Sequence, residues 1–179
     1  MVVGVDVFHD PTCLGSSYAA MVSSTNNAFS LWYSNSIGRL DPKKELIDRL
    51  QVAFIDCLRA YRSRNNAWPS SVLFFRDGIS DSQIEYSSAI EVNSLKEALG
   101  SVVEYEEPPK FGYVIVQKRI NTRLWSIARN VDNPPPGTVV DKTITRKNYF
   151  DFYLVSQSTR QGTGKTVYKY ACYVLQCLI

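Results

Sequence analysis

Histidine is almost missing from these 179 residues, His9 being the single one. A serine-type triad would have to use it, and no nucleophile motif accompanies it, so that class is discarded. The four cysteines (Cys13, Cys57, Cys172 and Cys177) lack the CxxC pairing of a zinc site. No stretch approaches the roughly 18 uninterrupted apolar residues of a membrane span, so no membrane association is expected. The opening, Met1-Val2-Val3-Gly4-Val5-Asp6, has no basic region and meets an acid at once, which argues against a signal peptide. Without a secretory signal, the cysteines read as free thiols of a reducing compartment. Low complexity is absent too. Apolar residues make up 45% and charged residues 21%, near globular averages, which excludes a disordered tail. One domain is the default for this length.

What is present is an uneven charge. Residues 1–109 hold 9 Lys and Arg against 14 Asp and Glu, while residues 110–179 hold 11 against 3. The split suggests an acidic feature in one half and an anion-facing surface in the other, unless folding mixes the two.

Val2–Phe8 reads as a strand, followed by strands over Ser17–Ser24 and Ala28–Ser36 with the turn cluster Thr25-Asn26-Asn27 between them. Asp41 suits an N-cap and Pro42 the first helical position. From there Leu46, Leu50, Ala53, Phe54, Cys57, Leu58 and Tyr61 recur at steps of three and four, one face of an amphipathic helix ending near Asn65-Asn66. Val72–Phe75 reads as a central strand that delivers Arg76-Asp77-Gly78. A helix near Ile90–Leu99 and strands at Tyr113–Gln117, Thr138–Val140 and Phe150–Val155 complete a mixed sheet with helices against it.

Two acids sit where acids are costly. Asp6 lies inside an apparently buried strand and Asp77 at the end of another. An unpaired buried carboxylate needs a partner or a cation. Two facing carboxylates would suit magnesium or manganese, hard ions that prefer oxygen. Glu45, at the start of the long helix, could add a third. The plainer alternative leaves Asp6 bonded to backbone and Asp77 capping a turn. Gly162-Thr163-Gly164-Lys165-Thr166 imitates a phosphate-binding loop, but the first glycine of that pattern would fall at Thr159.

The residues also carry a resemblance. Met1-Val2-Val3-Gly4-Val5-Asp6-Val7-Phe8-His9-Asp10 and Phe75-Arg76-Asp77-Gly78-Ile79-Ser80-Asp81-Ser82-Gln83 resemble two signatures of the Piwi domain in Argonaute/Piwi proteins. Val116–Arg123, Asn133–Asp141 and Asp151–Gln157 with Arg160–Thr163 continue it in order. The wording is nearer the Piwi branch than the Argonaute branch. The likeness covers about residues 1–163, an incomplete Piwi domain, and leaves 164–179 as a divergent tail.

The resemblance implies an α/β, RNase H-like fold: a mixed sheet of the five-stranded type flanked by helices. It implies a magnesium-dependent (or manganese-dependent) RNA endonuclease, or slicer, in which Asp6, Glu45 and Asp77 are catalytic and Asp6 and Asp77 hold metal. Glu45 would ride on a mobile finger and approach when the loop Ser36–Pro42 closes. Water would be activated at one ion and the leaving oxygen stabilised at the other. The partners would be a small guide RNA and a target RNA, held as an A-form duplex by backbone and 2′-hydroxyl contacts. Lys118, Arg119 and Arg123 are the expected phosphate contacts. The wider role implied is piRNA-guided silencing of transposons in the germline, in cytoplasmic germ granules or the nucleus. The usual fourth ligand, a histidine placed shortly after the Gln-Gly-Thr block, has no counterpart in Gly164–Tyr170. A non-cutting RNA-binding module and an inactive truncated fragment are therefore the alternatives.

Overall fold

The computed structural model describes residues 1–9, 17–40, 44–77, 79, 84–102, 109–118, 120–127, 131–146, 150–158 and 167–173. Its main element is an eight-stranded sheet. Strands β1 (Val2–His9), β2 (Ser17–Ser24) and β3 (Trp32–Leu40) form an antiparallel meander. Strands β4 (Ser71–Asp77) and β5 (Lys110–Gln117) run parallel to β1, in the order β3-β2-β1-β4-β5. This is the five-stranded mixed core expected of an RNase H-like fold. Short strands β6 (Ser126–Ile127) and β7 (Val131–Asp132) pair with each other. Strands β8 (Val139–Val140), β9 (Phe150–Val155) and β10 (Val167–Tyr173) extend the main sheet beyond β5 as β10-β9-β8, all antiparallel. The sheet is thus wider than the five strands expected. Residues 167–173, assigned to a tail, form an internal strand between β5 and β9.

Helix α1 (Lys44–Asn65) joins β3 to β4, and helix α2 (Ile84–Val102) joins β4 to β5. Asp41 and Pro42, read as the helix start, lie outside the described residues. The periodic face of α1 is the buried one: Leu50, Ala53, Phe54, Cys57, Leu58 and Tyr61 are all in the core. The helix stops in a left-handed residue, Asn66 at φ 53°, a conformation asparagine tolerates. Asn65 fastens that end by donating from Nδ2 to Tyr61 O (2.7 Å) and Thr25 O (2.9 Å). α2 buries Ile84, Val92, Leu95, Ala98 and Leu99 beside it.

Both helices meet the face of the sheet that carries Val3, Val5, Ala19, Met21, Val72, Phe74 and Tyr113. Phe74 lies at its centre, stacked on Tyr113 (centroids 5.5 Å apart) and edge-on to Phe54 (5.9 Å). Burial there pushes the Cys57 thiol up to about 11. The other face is open and exposes Phe8, Tyr18, Val22 and Leu73.

Two details of the meander differ from the sequence reading. Ala28–Leu31 belongs to a turn rather than a strand. Asn26 Oδ1 accepts the backbone N–H groups of Ser30 and Leu31, and Phe29 sits at φ 54°. Ser36–Leu40, expected in a closing loop, is strand. The register slips between Ala19 and Ala20, leaving Ile37 as a bulge residue that still reaches the core.

Candidate metal and nucleic-acid site

Strand pairing brings the two aspartates together. β1 and β4 are parallel, with Gly4 opposite Phe75 and Val5 opposite Arg76. One step further, Asp6 comes level with Asp77. Hydrogen-bonded strands lie about 4.8 Å apart, so both carboxylates start within reach of one cation. Side chains alternate along a strand. Val3 and Val5 turn to the helices and Asp6 to the open face; Phe74 and Arg76 turn in and Asp77 out. Asp6 is therefore exposed, where the sequence suggested burial. The apolar run around it fills only one face of the strand.

Lys118, expected to contact phosphate, lies beside Asp77. Asp77 pairs with Val116 on β5, and Lys118 follows two residues later on the same side. Its ammonium forms an ion pair with Asp77 Oδ2, the carboxylate side chain 19% exposed and the lysine 54%. Arg123 is half-buried and spends Nη1 on its own loop, donating to Ile120 O and Thr122 O at 3.4 Å. Arg119 lies outside the described residues. So does the side chain of Glu45, whose backbone opens α1, and that of His9 at the end of β1. Among the described residues no three of His, Cys, Asp and Glu converge on one point. The donor chemistry of Asp6 and Asp77 nevertheless fits a magnesium-like ion. The carboxylate oxygens are hard donors of the kind that ion prefers, and parallel strand register sets the two side chains on one face.

The sequence reading missed what holds this corner. Arg76, 5% exposed, turns under α2 and donates from Nε to Glu91 Oε2 at 3.0 Å. Tyr113 donates its hydroxyl to the same oxygen at 2.6 Å. Arg76 Nη1 reaches forward to Asp77 O at 2.5 Å, tying the buried trio to the backbone of the exposed acid. Burial and the adjacent Glu91 carboxylate hold the Tyr113 hydroxyl well above its ordinary value. Past the strand, Gln117 Nε2 donates to Ile79 O at 3.1 Å, so β5 also fixes the chain after Asp77. A signal for the trio existed. Arg76 occupies an inward position of β4, and Glu91 lies one turn before Leu95 on the buried stripe of α2.

The model of the Piwi domain matches residues 1–172. This chain belongs to the Piwi domain family. The match runs past residue 163 and takes in most of β10. Protein argonaute-3 of Drosophila melanogaster is 40% identical over 164 residues, which are 91% of this chain and 18% of that protein. The Piwi domain described here thus spans under a fifth of that relative's length. The crystal structure of Drosophila Piwi superposes with a TM-score of 0.81 at 28% identity, covering 99% of this chain and 24% of the other. Kluyveromyces polysporus Argonaute, crystallised with a guide RNA, gives 0.84 at 29% identity, covering 96% and 22%.

Proposed function

We propose that this Piwi domain holds a small guide RNA paired to a target RNA, and that its open sheet face carries a metal-dependent, slicer-type site for the target phosphodiester. One observation carries the reading: strand pairing sets Asp6, inside β1, level with Asp77, the last residue of β4, on the face that neither α1 nor α2 covers. Strand ends along one edge of an α/β sheet are where such folds place their chemistry. Asp6 and Asp77 would hold magnesium or manganese, with Glu45 contributing from the start of α1. Bound ions would supply an activated water and charge stabilisation at the leaving oxygen. The protein's own part is to hold the two carboxylates in register on rigid strands, braced through Arg76 from behind. The excess of Lys and Arg after residue 109 supports an RNA backbone as the partner, with base pairing reading the sequence. Silencing of transposons in the germline through piRNA, and residence in germ granules or the nucleus, are part of the same proposal and rest on the family.

A module that binds RNA without cutting is the second reading. The ion pair between Lys118 and Asp77 favours it, together with the lack of a histidine in 164–170. The segment without a counterpart of the fourth ligand, Gly164–Tyr170, runs into β10, whose side chains lie outside the described ones.

Calorimetric titration of Mn²⁺ into the purified chain and into Asp77→Asn tests the site. Binding that vanishes in the variant is expected, and equal binding by both overturns it. Cleavage of the target strand in a guide–target duplex then separates the two readings. RNA affinity should fall steeply from low to physiological salt, and a flat salt response would remove phosphate contacts from the account.

A further inference from the structure

The geometry points to Lys118 as a built-in counter-ion of the carboxylate site, one that an RNA phosphate must draw away before Asp77 is fully available to a metal ion. The inference rests on the site proposed above and adds its regulation by substrate.

Three observations lead to it. Lys118 Nζ sits on Asp77 Oδ2, one of the few oxygens the site offers. An ammonium and a divalent ion repel one another at that separation, so the lysine lowers metal affinity while it stays. The two partners are unequally exposed. Asp77 is on a strand whose backbone Arg76 clamps from the buried side, whereas Lys118 is just beyond the end of β5 with its side chain more than half exposed. The lysine is therefore the partner that a phosphate at the open face reaches first. Its head group has three donors and suits a phosphate oxygen as well as a carboxylate. A phosphate arriving at the open face competes for Lys118, the carboxylate is released, and an ion settles there. Metal and RNA then favour each other's binding, and the coupling is reciprocal.

The test compares Mn²⁺ affinity of the wild-type chain, Lys118→Met, Lys118→Gln and Lys118→Arg, with Asp77→Asn as reference. A half-exposed ion pair contributes little, so the two neutral variants should bind Mn²⁺ about three- to fivefold more tightly, with Lys118→Arg unchanged. Neutral variants that bind no tighter than wild type overturn the inference, including the case in which none of them binds. The second arm reads affinity for a short RNA duplex by fluorescence anisotropy, without and with saturating Mn²⁺. The gain on adding Mn²⁺ should be larger in wild type than in Lys118→Met by the same factor. Equal gains overturn the coupling. Failure of the underlying site looks different: Asp77→Asn would then bind Mn²⁺ as well as wild type. Failure of this inference alone leaves Asp77→Asn defective and Lys118→Met unimproved.

Discussion

Arg76 and Asp77 are neighbours in sequence and live on opposite faces of one sheet. Arg76 points to the helices, is 5% exposed and is paired at 3.0 Å with a carboxylate that also accepts the Tyr113 hydroxyl. Asp77 points to the open face and is paired with a lysine that is more than half in water. Both are ion pairs, yet they do different work. The inward pair is desolvated and has no room to rearrange, so it fixes where β4 ends relative to α2 and β5. The outward pair is partly in water, which suits the exchange of cations proposed for its carboxylate. A rigid back and an exchangeable front are what a strand-end site needs.

The largest effect should come from breaking the inward pair. Glu91→Ala leaves the Arg76 guanidinium buried and without its carboxylate. Losing one partner of a buried pair costs about 3–5 kcal/mol, and urea unfolding should show it as a lower midpoint with little change in slope. A loss below about 1 kcal/mol would mean that Arg76 turns out to water, against the packing described.

Titration gives the next effect. The folded chain holds the Tyr113 hydroxyl above its ordinary value of 10.0, through burial and through Glu91. The unfolded chain releases that proton at the ordinary value. Stability from this group is therefore complete below pH 10 and declines as pH rises from there toward the folded value. The decline is about 1.4 kcal/mol per pH unit at its steepest. Tyr113→Phe removes it, so the urea midpoints of the two proteins should converge above pH 10. A gap that stays constant from pH 8 to 11 would contradict the buried phenol.

Much of this arrangement was legible in the residues. The periodic face of α1 is the face that packs, because the apolar stripe running from Leu50 to Tyr61 is buried in the core shared with the sheet and α2. Asp77 was readable as the end of β4, but the apolar run Val72–Phe75 carries no mark of which face the acid takes. Asp6 was misjudged as buried because an apolar run such as Val2–Phe8 carries no mark of whether one face or both are covered. Strand β3 was displaced by four residues because Asn26 draws the backbone of Ser30 and Leu31 into a turn, a side-chain effect that outweighs the apolar pattern. Strand β10 escaped because its place depends on pairing with β5 and β9 far back in the chain, and nothing local encodes that. The trio of Arg76, Glu91 and Tyr113 joins three elements, so each member looked like an isolated polar residue. Glu45 was readable as a possible third carboxylate at the start of α1, with its role implied by the family likeness, and its side chain lies outside the described residues.

The smallest effect on stability belongs to the outward pair, and it sharpens the comparison most. Asp77→Asn removes the charge while keeping size and shape. It forfeits an ion pair whose lysine is more than half in water, worth about 0–1 kcal/mol after solvent screening. The backbone oxygen of Asp77 still accepts from Arg76, since that bond does not involve the side chain. The strand end should therefore keep its place, and the urea midpoint should move far less than in Glu91→Ala. Mn²⁺ binding should nonetheless be lost, because an amide oxygen is a weaker ligand than a carboxylate for a hard ion. A large drop in midpoint would show that Asp77 is part of the scaffold, and the division between a fixed inner face and an exchangeable outer one would fail at the residue chosen to define it.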